Sequence, residues 1–218
     1  MAWTDPITFV SGNVLTAAQM NVIQANLLAG GPTYATEAAR NTAIPSPFEG
    51  QRAYITGSTE TTAAGGVTAI PTGIQTIYNG SGWVTVTETG SFQSAAGTLG
   101  SSAYTATLGG SPGTNPSVTL RTGTTALIII TASISVAGTT TTGIDVAVSG
   151  ASTIGAGTVA GQPLSWAQSA TGLTQSVTCS IVMTTLTAGV NTFTLNYVNS
   201  TANVATFTSR RLIVKGIA

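Results

Sequence analysis

The stretch Ala126–Val136, ALIIITASISV, decides the fold because its side chains alternate between the two faces of a β-strand. One face is apolar throughout, whereas the other begins apolar at Leu127 and Ile129 and turns polar at Thr131. Such a strand is expected to lie inside a sheet. Both of its faces should be buried at the first end, and one face should be exposed to solvent at the other end. A slip of one residue would bury Thr and Ser, so the pattern also fixes the register. The apolar face comprises Ile128, Ile130, Ala132, Ile134 and Val136.

The second half of the chain repeats this alternation, with Gly, Pro and Asn clusters between most of the runs. Val177, Cys179, Ile181 and Met183 share one face of the next long strand, and Cys179 is predicted to be a buried thiol that packs as a small hydrophobe. Many strands at this spacing predict a mainly β chain whose residues 90–218 form an antiparallel, jelly-roll-like β-sandwich. The predicted strands are Ala103–Leu108, Ser117–Arg121, Ala126–Val136, Ile144–Val148, Leu173–Leu186, Asn191–Val198, Val204–Thr208 and Arg211–Val214.

Charge is scarce in this sequence. Of 218 residues, 6% are charged, six of each sign, and histidine is absent, whereas a soluble domain carries about 25%. A net charge of zero offers no basic face, so we expect neither nucleic acid nor a membrane as a partner. General acid–base catalysis uses mostly His and tuned Asp, Glu and Lys, and metal sites need clustered ligands. We therefore expect no enzyme, no metal and no cofactor, because the acids are scattered: Asp5, Glu37, Glu49, Glu60, Glu88 and Asp145.

The N-terminal residues predict an extended arm followed by a short helix. Thr16-Ala-Ala-Gln19 fits a capping box, and Gly30-Gly-Pro32 ends the helix. Met20, Ile23 and Leu27 form one apolar stripe. This stripe either docks on its own chain, or packs with two symmetry mates as a three-helix bundle or against a larger assembly. The arm either tucks into the core of the chain or lies on a partner, and its large side chains are Trp3, Ile7, Phe9 and Val10.

Residues 33–89 predict a linker followed by a small β module. The linker, residues 33–48, allows one or two helical turns from Thr36 and then runs extended through Ile44-Pro-Ser-Pro-Phe48. Asn79-Gly80 indicates a hairpin whose turn has two or four residues. A sheet of this size is not stable alone, so it must pack on a neighbouring domain or another copy. The predicted parts are the strands Arg52–Thr56, Ile74–Tyr78 and Trp83–Val86 and the long polar loop Gly57–Gly73.

Two groups of residues resemble tailed-bacteriophage virion structural proteins, a group that includes minor tail proteins, tail fibres and head fibres. The first group is Trp3, Phe9 and Gly12-Asn-Val-Leu-Thr16-Ala-Ala-Gln-Met-Asn21, which is similar to an arm that precedes a short helix. The second is similar to a recurrent phage module and comprises Ala39-Arg40, Pro47-Phe-Glu-Gly50, Tyr54 and Ile77-Tyr78-Asn-Gly-Ser-Gly-Trp83.

The resemblance implies a virion anchor over residues 1–32, a spacer module over 33–89 and an outward domain over 90–218, in a homotrimer. Under this implication the arm residues Trp3, Ile7, Phe9 and Val10 bind the particle, and Met20, Ile23 and Leu27 form the oligomer helix. The expected partners are sister copies and a tail protein or the major capsid protein. No secretory signal is recognised at the start of the chain. We therefore expect the protein to be part of the virion, which assembles in the host cytoplasm and is released by lysis.

The strand edges give a physical argument for the homotrimer that is independent of this resemblance. Edges rich in Thr and Val, with few Lys or Glu, lack the usual protection against edge-to-edge pairing. A net charge of zero also favours association. A closed symmetric oligomer would cover such edges with identical neighbours.

Three residues are candidates for surface binding. Trp166 lies in a predicted loop, where it either stacks on a sugar or packs over the mouth of the sandwich. Arg210 and Arg211 either bind a partner, such as a host-surface glycan, or stay solvated or bonded to backbone carbonyls. The leading hypothesis is a minor tail or fibre protein that contacts the host surface. A head decoration protein or head fibre is the alternative, and a soluble glycan-binding module is the third.

Overall fold

The computed structural model describes residues 16–17, 20–21, 32–64, 73–157, 164–168, 172–200 and 203–218. The prediction of a mainly β chain is confirmed, because one helix and fifteen strands make up the regular structure of this described part. The helix is α1 (Glu37–Ala43). The strands are β1 (Thr33–Tyr34), β2 (Arg52–Ile55), β3 (Thr62–Ala64), β4 (Ile74–Tyr78), β5 (Trp83–Thr85), β6 (Thr89–Gln93), β7 (Gly97–Leu99), β8 (Gly109–Gly110), β9 (Ser117–Thr122), β10 (Thr125–Val136), β11 (Thr140–Gly150), β12 (Leu164–Gln168), β13 (Thr174–Met183), β14 (Gly189–Asn199) and β15 (Ala205–Ile217).

The larger strands form a sandwich with the strand order of a jelly roll. One sheet has the order β13–β10–β15, and the far side of β15 pairs with β6 over one part of its length and with β7 over another. The other sheet has the order β12–β11–β14–β9, with β3 added at the end. The first strand of the sandwich therefore lies beside the last. From β9 to β15 successive strands alternate between the sheets except for β11 and β12, which pair within one sheet, and this order is the double Greek key of a jelly roll.

The core lies between these two sheets and is built by the alternation that the sequence displays. The predicted apolar face of β10 is buried, with exposed fractions between 0% and 3%. Phe193, Leu195 and Tyr197 of β14 are each 0% exposed on the opposite side of the core. Full burial of one large apolar side chain contributes about 1.5–3 kcal/mol, so this layer supplies most of the driving force for folding. Cys179 is half-buried rather than fully buried as predicted.

The last strand corrects the prediction of two strands separated by a break. β15 is continuous through Ser209, and a bulge at this point shifts its register against β10 between Thr131 and Ser133. Ser209 has a φ of 48°, a conformation that non-glycine residues rarely adopt. The extra residue sends the side chain of Arg210 into the interior while Arg211 stays outside.

Other strand predictions in the second half were wrong in detail. Ala103–Leu108 is not a strand: Thr105 makes a single bridge to Tyr197. Conversely β6, β7 and β12 form where no strand was predicted. Trp166 therefore lies on β12, in register with Thr142, and not in a loop.

The small module is confirmed as a sheet, in the order β1–β2–β4–β5. The Thr36 hydroxyl caps α1 by accepting a bond from the Ala39 amide at 3.1 Å. The hairpin turn has four residues, because the Asn79 amide donates to the Gly82 carbonyl at 3.0 Å. Gly80 adopts a φ of 86° within this turn, which suits glycine.

The predicted loop Gly57–Gly73 is interrupted by β3, which pairs with β9 of the sandwich. The middle segment thus contributes a strand to the larger sheet, and the domain division at 1–32, 33–89 and 90–218 stays a prediction.

Little of the N-terminal segment lies within the described residues. The Met20 amide donates to the Thr16 carbonyl at 3.0 Å, as in a helical turn, and Met20 is 49% exposed. No helix in the described ranges is long and apolar enough to cross a membrane. The predicted anchor and oligomer residues Trp3, Ile7, Phe9, Val10, Ile23 and Leu27 lie outside the described residues.

Candidate functional site

A buried arginine holds α1 onto the small sheet. Arg40 is 1% exposed, and its guanidinium carbon lies 4.5 Å from the centroid of the Trp83 ring. Its Nη1 donates to the Thr76 hydroxyl at 3.3 Å, and its Nε and Nη2 donate to the Asn41 side chain at 3.1 and 3.0 Å. Burial lowers the pKa of Arg40, and the carboxylates of Glu60 and Glu37 offset part of this effect.

Glu37 lies one helical turn before Arg40 and binds the segment that follows β2. Its carboxylate accepts hydrogen bonds from the Ser58 hydroxyl and, at 3.4 Å, from the Glu60 amide. Burial tends to raise the pKa of Glu37, but these hydrogen bonds outweigh burial and keep the pKa below its usual value. This carboxylate therefore fixes the path of residues 58–60 and is not available to a ligand.

An ion pair then joins the same segment to the sandwich. Glu60 accepts two hydrogen bonds from Arg121 of β9, at 2.6 and 2.7 Å. This bidentate geometry is the stronger form of the pair, and the bond to Glu60 raises the pKa of Arg121. The four charges of Glu37, Arg40, Glu60 and Arg121 thus connect the helix, the small sheet and the jelly roll.

Of the alternatives stated for Arg210, the structure shows the bonds to backbone carbonyls and not a surface-binding side chain. It is 1% exposed, and its Nη2 donates to the carbonyls of Ala95, at 3.1 Å, and Pro112. Its Nη1 donates to the Tyr197 hydroxyl at 3.3 Å, and burial raises the pKa of that phenol to about 12. The bulge at Ser209 is the physical reason, because it turns Arg210 inward, where the guanidinium ties two loops to the core.

The other two surface candidates differ from Arg210. Arg211 is exposed, and its guanidinium lies 5.3 Å from the centroid of the Phe92 ring. The structure describes only the backbone at Trp166, so its predicted role in stacking stays a prediction. The structure therefore does not bring the three candidates together as one site.

Asp145 is a buried carboxylate on β11 that no motif in the sequence singles out. Its Oδ1 accepts from the Val146 amide at 2.8 Å, and its Oδ2 accepts from the Gly157 amide at 2.5 Å. Burial raises the pKa of Asp145, although both amide bonds act in the opposite direction. The side chain pins the loop after β11 onto the sheet.

The described residues do not form a metal centre, because no three His, Cys, Asp or Glu side chains among them lie close enough to share an ion. The buried charged groups instead bind other parts of the chain, as the contacts of Glu37, Arg40, Asp145 and Arg210 show. The sequence analysis did not identify Glu37 and Arg40 as residues that act together. The pattern that could have shown it is their separation of three positions on a short helix, which places the two opposite charges on one face of the helix.

The outer face of the β13–β10–β15 sheet carries rows of uncharged hydroxyls. The hydroxyl of Thr131 lies 3.2 Å from that of Thr178, and Ser133 lies 3.1 Å from Ser176. Neither β10 nor β13 contains a charged residue. On β10 and β13 this face has the neutral polar character that the composition predicts, whereas on β15 it carries Arg211 and Lys215, which lie opposite Thr131 and Leu127.

No model of a known protein family matches the sequence. A search of curated proteins likewise finds no match. Among solved structures, the CBM22-1–GH10 modules of Clostridium thermocellum xylanase 10B with xylohexaose are similar at 14% identity and a TM-score of 0.32, over 57% of this chain and 27% of that one. A chain of the infectious bursal disease virus Gx strain is similar at 13% identity and 0.38, over 66% of this chain and 42% of that one. The CBM22-1 xylan-binding domain of Paenibacillus barcinonensis Xyn10C is similar at 11% identity and 0.26, over 58% and 87%.

This chain thus spans less than half the length of the first two of these structures. At such low TM-scores the similarities carry no argument about what the chain binds or does.

Proposed function

We propose that the chain is a non-enzymatic structural protein of a tailed-bacteriophage virion. It assembles as a homotrimer, is held to the particle by its N-terminal residues 1–32 and projects its jelly roll outward. The observation that carries this proposal is the use of its scarce charges. Arg40, Glu60 and Arg210 each brace one segment of the chain against another, and so they favour a structural role over a catalytic one.

The residues behind the phage resemblance support the same proposal. Arg40 and Trp83 belong to the second group of resembling residues, and they make the contact that holds α1 on the small sheet. Tyr78 packs edge-on against Trp83 with ring centroids 5.7 Å apart, and Gly80 forms the turn between them. The resembling residues are therefore those on which this module depends.

We place the chain at the tail, as a minor tail or fibre protein that binds other tail proteins. Arg211 is the described candidate for contact with a host-surface glycan, because it is the exposed member of the arginine pair. A head decoration protein or head fibre bound to the major capsid protein is the alternative placement.

The proposal is tested by labelling the tagged chain on intact particles, together with a variant that lacks residues 1–30. The full chain should label the tail, and the shortened chain should be absent from particles while its circular dichroism keeps the β spectrum. Label distributed over the head would favour the alternative placement. Particles that incorporate the shortened chain would overturn the anchor, and particles without label in either case would overturn the virion assignment.

A further inference from the structure

The edge strand β13 differs from the other strands that end the described sheets. It has 10 residues, whereas β1 and β8 have 2, β3 and β5 have 3, and β6 and β12 have 5. Short edge strands are one of the ways in which proteins avoid pairing with other chains. This chain applies that protection at the other edges and leaves it out at β13.

The protections that a strand carries in its own sequence and ladder are also absent from β13. The strand contains no charged residue and no proline, and the adjacent β10 has no charged residue among its 12. The ladder between β10 and β13 runs without a register shift from Ala126 to Ser135, so no bulge twists the edge away. The side chains of Thr174, Ser176, Thr178, Ser180 and Val182 are exposed.

The backbone of this edge defines what it can bind. In an antiparallel ladder every second residue directs its amide and carbonyl groups away from its partner strand. In the described part of the chain no strand pairs with that outer side of β13. A regular row of donors and acceptors about 3.4 Å per residue is matched by another extended strand.

The absence of charge favours a second copy of this chain as the occupant. Charged side chains on an edge oppose the addition of another strand, and neither β13 nor β10 carries a charge. β12, which ends the other large sheet of the described part, contains no charged residue either. An edge of a sister copy therefore offers β13 a strand without charges that would oppose pairing.

We propose that the free edge of β13 is the contact through which copies of this chain pair, and this assignment rests on the homo-oligomer proposed above. The contacts of β6 with β3 and β9 place those strands together at one end of the two sheets, so β12 and β13 both lie at the other end. A ring of three can close when β13 of one copy adds to the β12 edge of the next.

The first test places positive charge on the exposed side chains of the edge. The double variant Thr178→Lys, Ser180→Lys should raise the dissociation constant of the oligomer at least about tenfold, because lysine side chains on an edge oppose the addition of another strand. The neutral control Thr178→Gln, Ser180→Gln should assemble as the unchanged chain does. Thr107→Lys, at an exposed position just before β8 at the opposite end of the sheet, should do so too. Circular dichroism checks that every variant keeps its β spectrum.

The second test measures proximity with spin labels in chains that carry Cys179→Ser. Labels at Ser180→Cys should lie closer to one another in the oligomer than labels at Thr107→Cys, an exposed position just before β8 at the opposite end of the sheet. An inter-label distance at Ser180 no shorter than at Thr107 contradicts the assignment.

The outcomes separate this inference from the proposed function. An oligomer that tolerates both lysines overturns the role of β13 and leaves the homotrimer standing. An oligomer that dissociates only when residues 1–31 are removed assigns the contact to the N-terminal segment and overturns β13 as well. If the unchanged chain is already a monomer, both the inference and the homotrimer are contradicted.

Discussion

Replacing Arg40 tests how the small module is held together. The side chain is 1% exposed and fills the space between α1 and Trp83. Arg40→Ala removes the packing of its stem and the cation–π contact, and we expect a loss of about 2–4 kcal/mol in the free energy of unfolding. The Thr76 hydroxyl keeps a partner in this variant, because it also donates to the Ala53 carbonyl at 3.0 Å.

Arg40→Met is the matched variant, because it keeps the length of the stem and removes the charge. In the described part of the chain no carboxylate lies within 4.0 Å of Arg40, so the more distant Glu60 and Glu37 offset only part of the desolvation penalty of its burial. An apolar replacement of similar volume is therefore expected to cost less than about 1 kcal/mol or nothing. Urea unfolding followed by circular dichroism and Trp fluorescence measures both variants.

Two results would refute this reasoning. If Arg40→Ala unfolds within about 0.5 kcal/mol of the unchanged chain, the contact with Trp83 does not hold the module. If Arg40→Met loses as much stability as Arg40→Ala, the hydrogen bonds and the charge matter and the packing does not.

Further predictions concern two buried carboxyls and two glycines. The folded-state pKa of Asp145 is raised, so its ionised carboxylate costs stability as the pH rises above about 3.8. Urea unfolding at pH 3 and pH 7 should show that the free energy of unfolding of Asp145→Asn increases relative to that of the unchanged chain towards pH 7. Glu37 has a lowered pKa, so its contribution is present above its unfolded pKa and is lost in acid; Glu37→Gln should lose about 1 kcal/mol at pH 7 and converge with the unchanged chain near pH 3. Gly150 has a φ of 102°, and a Cβ there would lie 2.5 Å from the Val190 carbonyl oxygen; Gly150→Ala should cost more than about 2 kcal/mol by thermal unfolding, whereas Gly110→Ala, with open space around it, should cost about 1.

These pH predictions have opposite signs, which makes them easy to contradict. Parallel curves for Asp145→Asn and the unchanged chain between pH 3 and pH 7 would show that burial does not perturb this carboxyl. A Glu37→Gln variant whose deficit grows in acid would show that the bonds from Ser58 and Glu60 do not stabilise the ionised form. Equal losses at Gly150 and Gly110 would mean that the close carbonyl has no effect beyond backbone strain.

The sandwich could be predicted from the sequence because strand alternation is a local property. The apolar face of β10 follows from residues 126–136 alone, and the structure buries it. β3 could not be predicted in this way, because its three residues form a strand only by pairing with β9, far along the chain. The local sequence of β3 does not differ from the rest of the predicted loop Gly57–Gly73.

The burial of Arg210 could not be predicted for a similar reason. A pair of arginines near a strand end indicates a surface, and only the bulge at Ser209 turns one of them inward. The carbonyls that bind it belong to Ala95 and Pro112, which are distant in sequence. The charges at α1 show the same limit, because their partners Ser58, Thr76 and Trp83 come from three other segments.

The central claim is that this nearly uncharged jelly roll is a subunit whose long edge is covered by sister copies. Size-exclusion chromatography with light scattering, on the full chain at micromolar concentration, tests this claim most directly. We predict a mass three times the 21.7 kDa of one chain. A monodisperse peak at 21.7 kDa that stays unchanged as the concentration is raised would contradict the claim.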